Sequence, residues 1–172
     1  THGDLHGDNL LIDNRGNAWP IDFERTGEGH ILQDFIELEA DIIMRLDNLL
    51  EDPADFPVLW FPVARQKELG VLNETWMNCE NPRIQKALRT TSCLRALALE
   101  CTGIDDARQY VLGLLFNALF RAKIASGQKD SNRQRRALAL AAVLCHRLEH
   151  WDETWPPENW QQLSQLKEES NA

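Results

Sequence analysis

Two short apolar runs, Leu10-Leu11-Ile12-Asp13 and Ala18-Trp19-Pro20-Ile21-Asp22-Phe23, flank Asn14-Arg15-Gly16-Asn17, and this pattern restricts the front of the 172-residue chain to a small β-hairpin. Gly16 can take the positive φ that such a turn needs. Pro20 lacks an N–H and requires an edge or irregular position. Behind the hairpin the period changes. Ile31, Leu32, Phe35, Leu38, Ile42, Leu46 and Leu49 recur at helical spacing over 31–50, with Asp34, Glu37 and Asp41 on another face. Pro53 and Pro57 are expected to bound a loop before a helix over 58–69. Pro82 suits the first turn of a helix over 82–101. Asp105 or Asp106 should begin an apolar helix to Ser126, with Gly127 as its stop. Ser131 is the expected cap of a helix to Trp151. Pro156-Pro157 should open an amphipathic helix to Glu169, followed by a polar tail. The expected class is mainly α with a small β-hairpin. One domain spans 1–172, with the hairpin region at 1–30 and a helical subdomain at 31–169.

Composition narrows the partners. A hydrophobic content of 43% supports a packed core rather than a disordered chain. The net charge of -9 and pI of about 5.0 argue against nucleic acid held by phosphate contacts, because such surfaces are basic. They are compatible with a cationic substrate. No apolar run approaches the roughly 20 residues that cross a bilayer, and no signal peptide is visible, so no membrane partner and a cytoplasmic location are expected. None of Cys79, Cys93, Cys101 and Cys145 forms a C-x-x-C pair, which predicts reduced core thiols. The chain opens on Thr1 directly inside a motif, so a cut from a longer protein is expected.

That motif is His2-Gly3-Asp4-Leu5-His6-Gly7-Asp8-Asn9, with the spacing of the kinase catalytic loop H-x-D-L-x-x-x-N. Asp22-Phe23 follows 13 residues after Asn9, where kinases place their metal-binding D-F pair. Phosphoryl transfer needs an acceptor held in line with a γ-phosphate, and a carboxylate such as Asp4 can orient it and take its proton. Magnesium prefers oxygen ligands, which the Asn9 amide and the Asp22 carboxylate supply. The hairpin would fold Asp22 back beside Asn9. His2 fits a supporting role by packing and hydrogen bonding.

HGDLHGDN followed by IDFE resembles the aminoglycoside phosphotransferase and choline kinase superfamily, with its H-G-D-x-H-x-x-N and I-D-F or I-D-W motifs. Gly3 and His6 favour this branch over eukaryotic-type protein kinases. The resemblance covers about residues 1–41. It implies the C-terminal lobe of a protein-kinase-like α+β fold, with Mg²⁺ and ATP or GTP serving transfer to a small-molecule hydroxyl. It also implies a structural role for Asp34 near the loop base. The glycine-rich lobe and its lysine are absent from this sequence, so the isolated chain is expected to bind nucleotide weakly and to lack activity. The stretch DFERTGEGHILQDFIELEADI is also similar to kinase-like modules described as ternary-complex-associated domains in bacterial conflict and signalling systems. That likeness implies an alternative, a catalytically weak interaction module with protein partners.

Other readings of these residues carry less. Gly3-Asp4-Leu5-His6-Gly7 also resembles the G-D-x-H-G stretch of two-metal phosphoesterases. That chemistry needs an Asn-His pair and further histidines, and Gly-Asn-His does not occur here. His6 is a candidate for contact with the phosphate or substrate, or for bracing the loop. Glu24 is a candidate for the metal site or an ion pair. Asp8 is expected to be a solvated loop residue or a local cap. Asp34, Glu37, Glu39 and Asp41 are expected to form a solvated helix face rather than an attractor for amines. His146 and His150, at i and i+4 beside Cys145, are ligand-compatible but lack a complete zinc set. Arg133, Arg135 and Arg136 are expected on a solvated face, with contact to a partner or phosphate as the lesser alternative, and the tryptophans in core and rim packing, with an interaction surface second.

Overall fold

The computed structural model describes residues 1–47, 50, 55–77, 79–158 and 160. Strands β1 (Leu10–Ile12) and β2 (Ala18–Pro20) pair antiparallel, with Leu11 opposite Trp19. Then come α1 (Gln33–Asp47), α2 (Asp55–Arg65), α3 (Glu74–Met77), α4 (Pro82–Thr102), α5 (Arg108–Gly127) and α6 (Ser131–Glu149). The chain is therefore mainly helical with a two-stranded sheet. No helix among the described residues is long and apolar enough to cross a membrane.

The bundle closes around fully buried Leu32, Ile43, Val63, Ile84, Leu88 and Leu144. Helix α5 packs chiefly on α6, while α1 packs on α4 and α5. Two buried arginines tie these layers together. Arg95 Nη2 and Nε bond the Glu39 carboxylate at 2.7 and 3.0 Å, and its Nη1 donates to Gln66. Both ends of that pair have no solvent exposure. Arg147 donates to the carbonyls of Ala64, His150 and Trp151 and lies against the Trp151 ring. Burial without a bonded carboxylate lowers its pKa from the usual guanidinium range.

Several expected boundaries shift for identifiable reasons. Helix α2 starts at Asp55, so Pro57 lies in a first helical turn, where its missing N–H costs little. The same helix stops at Arg65 rather than near residue 69, because the next backbone segment pairs with 105–107. Glu68 bridges Asp106, and Ala107 N–H donates to the Lys67 carbonyl at 2.9 Å. That pairing also delays α5 to Arg108, whose N–H is accepted by the Asp106 side chain. Asp130, not Ser131, caps α6 by accepting from Arg133 N–H. Pro82 does open α4, with Asn81 as its cap. The cysteines are free, but Cys93, Cys101 and Cys145 are exposed rather than core thiols. Trp60, Trp151 and Trp155 are buried, whereas Trp19 is exposed. Leu49, Pro53 and positions 161–169 of the expected last helix lie outside the described residues.

Candidate phosphoryl-transfer site

The opening loop is hung from one face of α1. Asp34 accepts from His2 N–H at 2.8 Å and from Gly3 N–H at 3.0 Å. Glu37 accepts from Leu5 N–H at 3.0 Å, and Asp41 from Gly7 N–H at 2.9 Å. These carboxylates sit at i, i+3 and i+7, hence on one side of the helix. Glu39 points into the core on Arg95. The expected solvated acidic face is thus overturned: every carboxylate of Asp34, Glu37, Glu39 and Asp41 has a partner distant in sequence. Gly3 adopts φ 81°, and a Cβ there would run into the Arg25 carbonyl, so the loop needs glycine at this point.

The loop and the hairpin are stitched through His2 and Asn9. His2 Nε2 donates to the Ile21 carbonyl at 2.9 Å, and its ring centroid lies 5.0 Å from that of Phe23. Asn9 is buried at the end of a 3-10 turn, Gly7–Asn9. Its Nδ2 donates to the Asp4 carbonyl at 2.9 Å, while its own carbonyl accepts from Ile21 N–H at 2.9 Å. Residues 4, 9 and 21 are thereby locked together, and Asp22 follows at once. Asp22 holds φ 62° and ψ 64°, a left-handed conformation that costs a non-glycine residue on the order of 1 kcal/mol. The next residues turn sharply as a second 3-10 turn, Phe23–Arg25, and leave Asp22 exposed.

The remaining candidates fall around this frame. Arg25 Nη1 lies 3.6 Å from Asp4 Oδ1. His6 Nδ1 accepts from Asp8 N–H at 3.3 Å, which makes His6 the cap of the first 3-10 turn. Asp8 is exposed and meets Arg45 Nη2 at 2.6 Å. The Arg45 hydrogen bond and charge hold the Asp8 carboxyl below its ordinary range. Hydrogen bonds that Arg45 donates to Asp8 and Asp41 raise the Arg45 pKa in return. Glu24 is exposed in the second turn. A cavity of about 580 Å³ opens beside Asp4, lined by His6, by Glu37 and Asp41 of α1, and by Phe120, Arg121 and Arg133 of α5 and α6. Sequence reasoning missed Arg25, Arg45 and Arg121 at this site. A cation within an apolar helix, as at Arg121, is the signal that could have found one of them.

A family model described as ternary complex associated domain 9 matches residues 1–125. The chain belongs to that family. In this ternary complex associated domain the match takes in the loop, the hairpin and α1 and ends within α5, so α6 lies beyond it. No curated protein and no solved structure matches the chain.

Among the described residues of the domain, no group of three or more His, Cys, Asp or Glu side chains is arranged for a metal ion. Asn9 carries an amide oxygen and Asp22 a carboxylate, the hard oxygen donor types that Mg²⁺ prefers. His146 and His150 meet edge to face at 4.3 Å, and His146 also packs on Trp155 and Trp160, which gives it an aromatic setting.

Proposed function

We propose that this domain is the C-terminal lobe of a kinase-like phosphotransferase that moves the γ-phosphoryl group of ATP or GTP to a small-molecule hydroxyl. The observation that carries the reading is the double tether of Asn9, to the Asp4 carbonyl on one side and to Ile21 N–H on the other. It ties the backbone at residues 4 and 21 to Asn9, and Asp22 follows Ile21 in the chain, which supports a shared site for a base and two metal ligands. Because the Asn9 NH₂ is committed to Asp4, its amide oxygen is the end left for a cation. Asn9 and Asp22 would hold Mg²⁺, which would neutralise charge on the triphosphate. Asp4 would orient the acceptor hydroxyl and take its proton as the new P–O bond forms and the β–γ bridge breaks. His2 and Asp34 hold the loop in place for this. The exposed apolar side chains Leu11, Ile12, Trp19 and Phe23 offer a surface on which a second, phosphate-covering lobe would pack.

One observation favours a second reading. Arg25 Nη1 stands 3.6 Å from the Asp4 carboxylate and so occupies one side of the candidate base, as suits an interaction module with weak turnover. Mg²⁺-dependent nucleotide turnover by the intact protein separates the two. Asp4→Asn should cost about 10²-fold or more, and Asp22→Ala should abolish the metal dependence. Turnover that is unchanged in both variants rules out the enzyme. No turnover by either the unaltered protein or its Arg25→Ala variant favours the module.

A further inference from the structure

The cavity beside Asp4 has a charge arrangement that bears on what enters it. A cationic ligand would need a free carboxylate, and the acidic side chains here are committed. Glu37 and Asp41 hold loop N–H groups, Asp41 also meets Arg45 and Arg121, and Asp8 meets Arg45. Asp4 faces Arg25. The α5 and α6 part of the lining is basic, with Arg121 and Arg133. Arg121 is 16% exposed; its Nε donates to Asn117 Oδ1 at 2.8 Å and its Nη1 reaches Asp41 at 3.4 Å. Its neighbour Arg133 has a buried Nε without a hydrogen-bond partner. Burial, and then the nearby positive charge of Arg133, depress the Arg121 pKa against the pull of Asp41. Two guanidinium groups close enough to repel each other line the same cavity, a pairing whose chemistry suits an anion.

We propose that this cavity takes a ligand bearing a carboxylate or phosphate group, seated between Arg121 and Arg133. Under the phosphotransferase reading, on which this identification of an acceptor rests, its hydroxyl would lie toward Asp4. Phe120 and Ile124 line the same cavity and would pack against the uncharged part of the ligand.

The test is isothermal titration of the full-length protein, without nucleotide or magnesium, at fixed ionic strength. The probes are inorganic phosphate, malonate and spermidine. Expected is binding of phosphate or malonate, the stronger of the two naming the anionic group. Affinity should fall by about tenfold in Arg133→Gln and further when Arg121→Gln is added. Asp4→Asn should keep or strengthen it, since a negative charge is removed. Thermal melts check that each variant is folded, and Arg133, on the first turn of α6, is the safer site. Spermidine binding in place of the anions overturns the proposal. So does an absence of anion binding, or an affinity that a folded Arg133→Gln leaves unchanged. Anion binding without Mg²⁺-dependent turnover keeps this site and removes the transfer reading, whereas turnover without anion binding does the reverse.

Discussion

The helical bundle and the loop-hairpin front are held together by different physics. The bundle buries aliphatic side chains completely and encloses an ion pair, Glu39 with Arg95, in its centre. The front leaves Leu11, Ile12, Trp19 and Phe23 more than half exposed and relies on hydrogen bonds to α1 and within its own turn. Apolar packing is non-directional, while a carboxylate that receives two N–H groups fixes a backbone to tenths of an ångström. The bundle supplies stability and α1 transmits it to the loop as position. The largest break in this comparison should come from Glu39→Ala. It strands a fully buried guanidinium, and chemical denaturation should show a loss of about 3–5 kcal/mol. Joint replacement of Glu39 and Arg95 by apolar residues should restore much of that loss. If the single variant costs less than about 1 kcal/mol, the ion pair is not the bundle's anchor.

Asp34→Ala should produce a smaller and differently placed effect. It removes an acceptor shared by His2 and Gly3 N–H, and hydrogen bonds to charged groups contribute about 1.5–3 kcal/mol each. The loop is partly solvated, so water replaces some of this, and the expected global loss is about 1–2 kcal/mol. Amide hydrogen exchange gives the sharper readout. His2, Gly3 and Asn9 should lose protection while α4 and α5 keep theirs. Equal loss of protection in the helices would show that front and bundle unfold together, and the contrast between them would fail.

The same contrast explains what could be read from the amino-acid sequence. The hairpin was legible because Asn14-Arg15-Gly16-Asn17 is local turn chemistry. Helix α4 was legible because Asn81-Pro82 marks its own start. The candidate site residues were likewise visible as a motif. What failed depended on partners far along the chain. Asp34, Glu37 and Asp41 bond residues more than 30 positions away, and Glu39 bonds Arg95 across 56 positions. Nothing local distinguishes such carboxylates from a solvated helix face. The early end of α2 and the late start of α5 share that cause, since each boundary is set by the backbone pairing of 67–69 with 105–107.

The smallest expected effect lies at the hairpin tip, where the front depends on a single carboxylate. Asp13 Oδ1 accepts from Arg15 and Asn17 N–H, and Oδ2 accepts from the Asn17 side chain. The Asn17 side chain is the largest cause of an Asp13 pKa below the ordinary 3.8, followed by the Asn17 backbone N–H. A depressed folded pKa makes the contribution of Asp13 full above about 3.8 and lost as pH falls through the lower folded value. The bonds of the Asp13 carboxylate lie within its own turn, so the bundle should not register this loss. A carboxyl-carbon NMR titration should place the Asp13 midpoint below 3.8, and Asn17→Ala should move it back toward that value. Turn signals should weaken over the same acid range while the helical circular dichroism stays constant. A midpoint at or above 3.8 would mean that the tip is not organised by Asp13, and the register of Leu11 opposite Trp19 would then need another source.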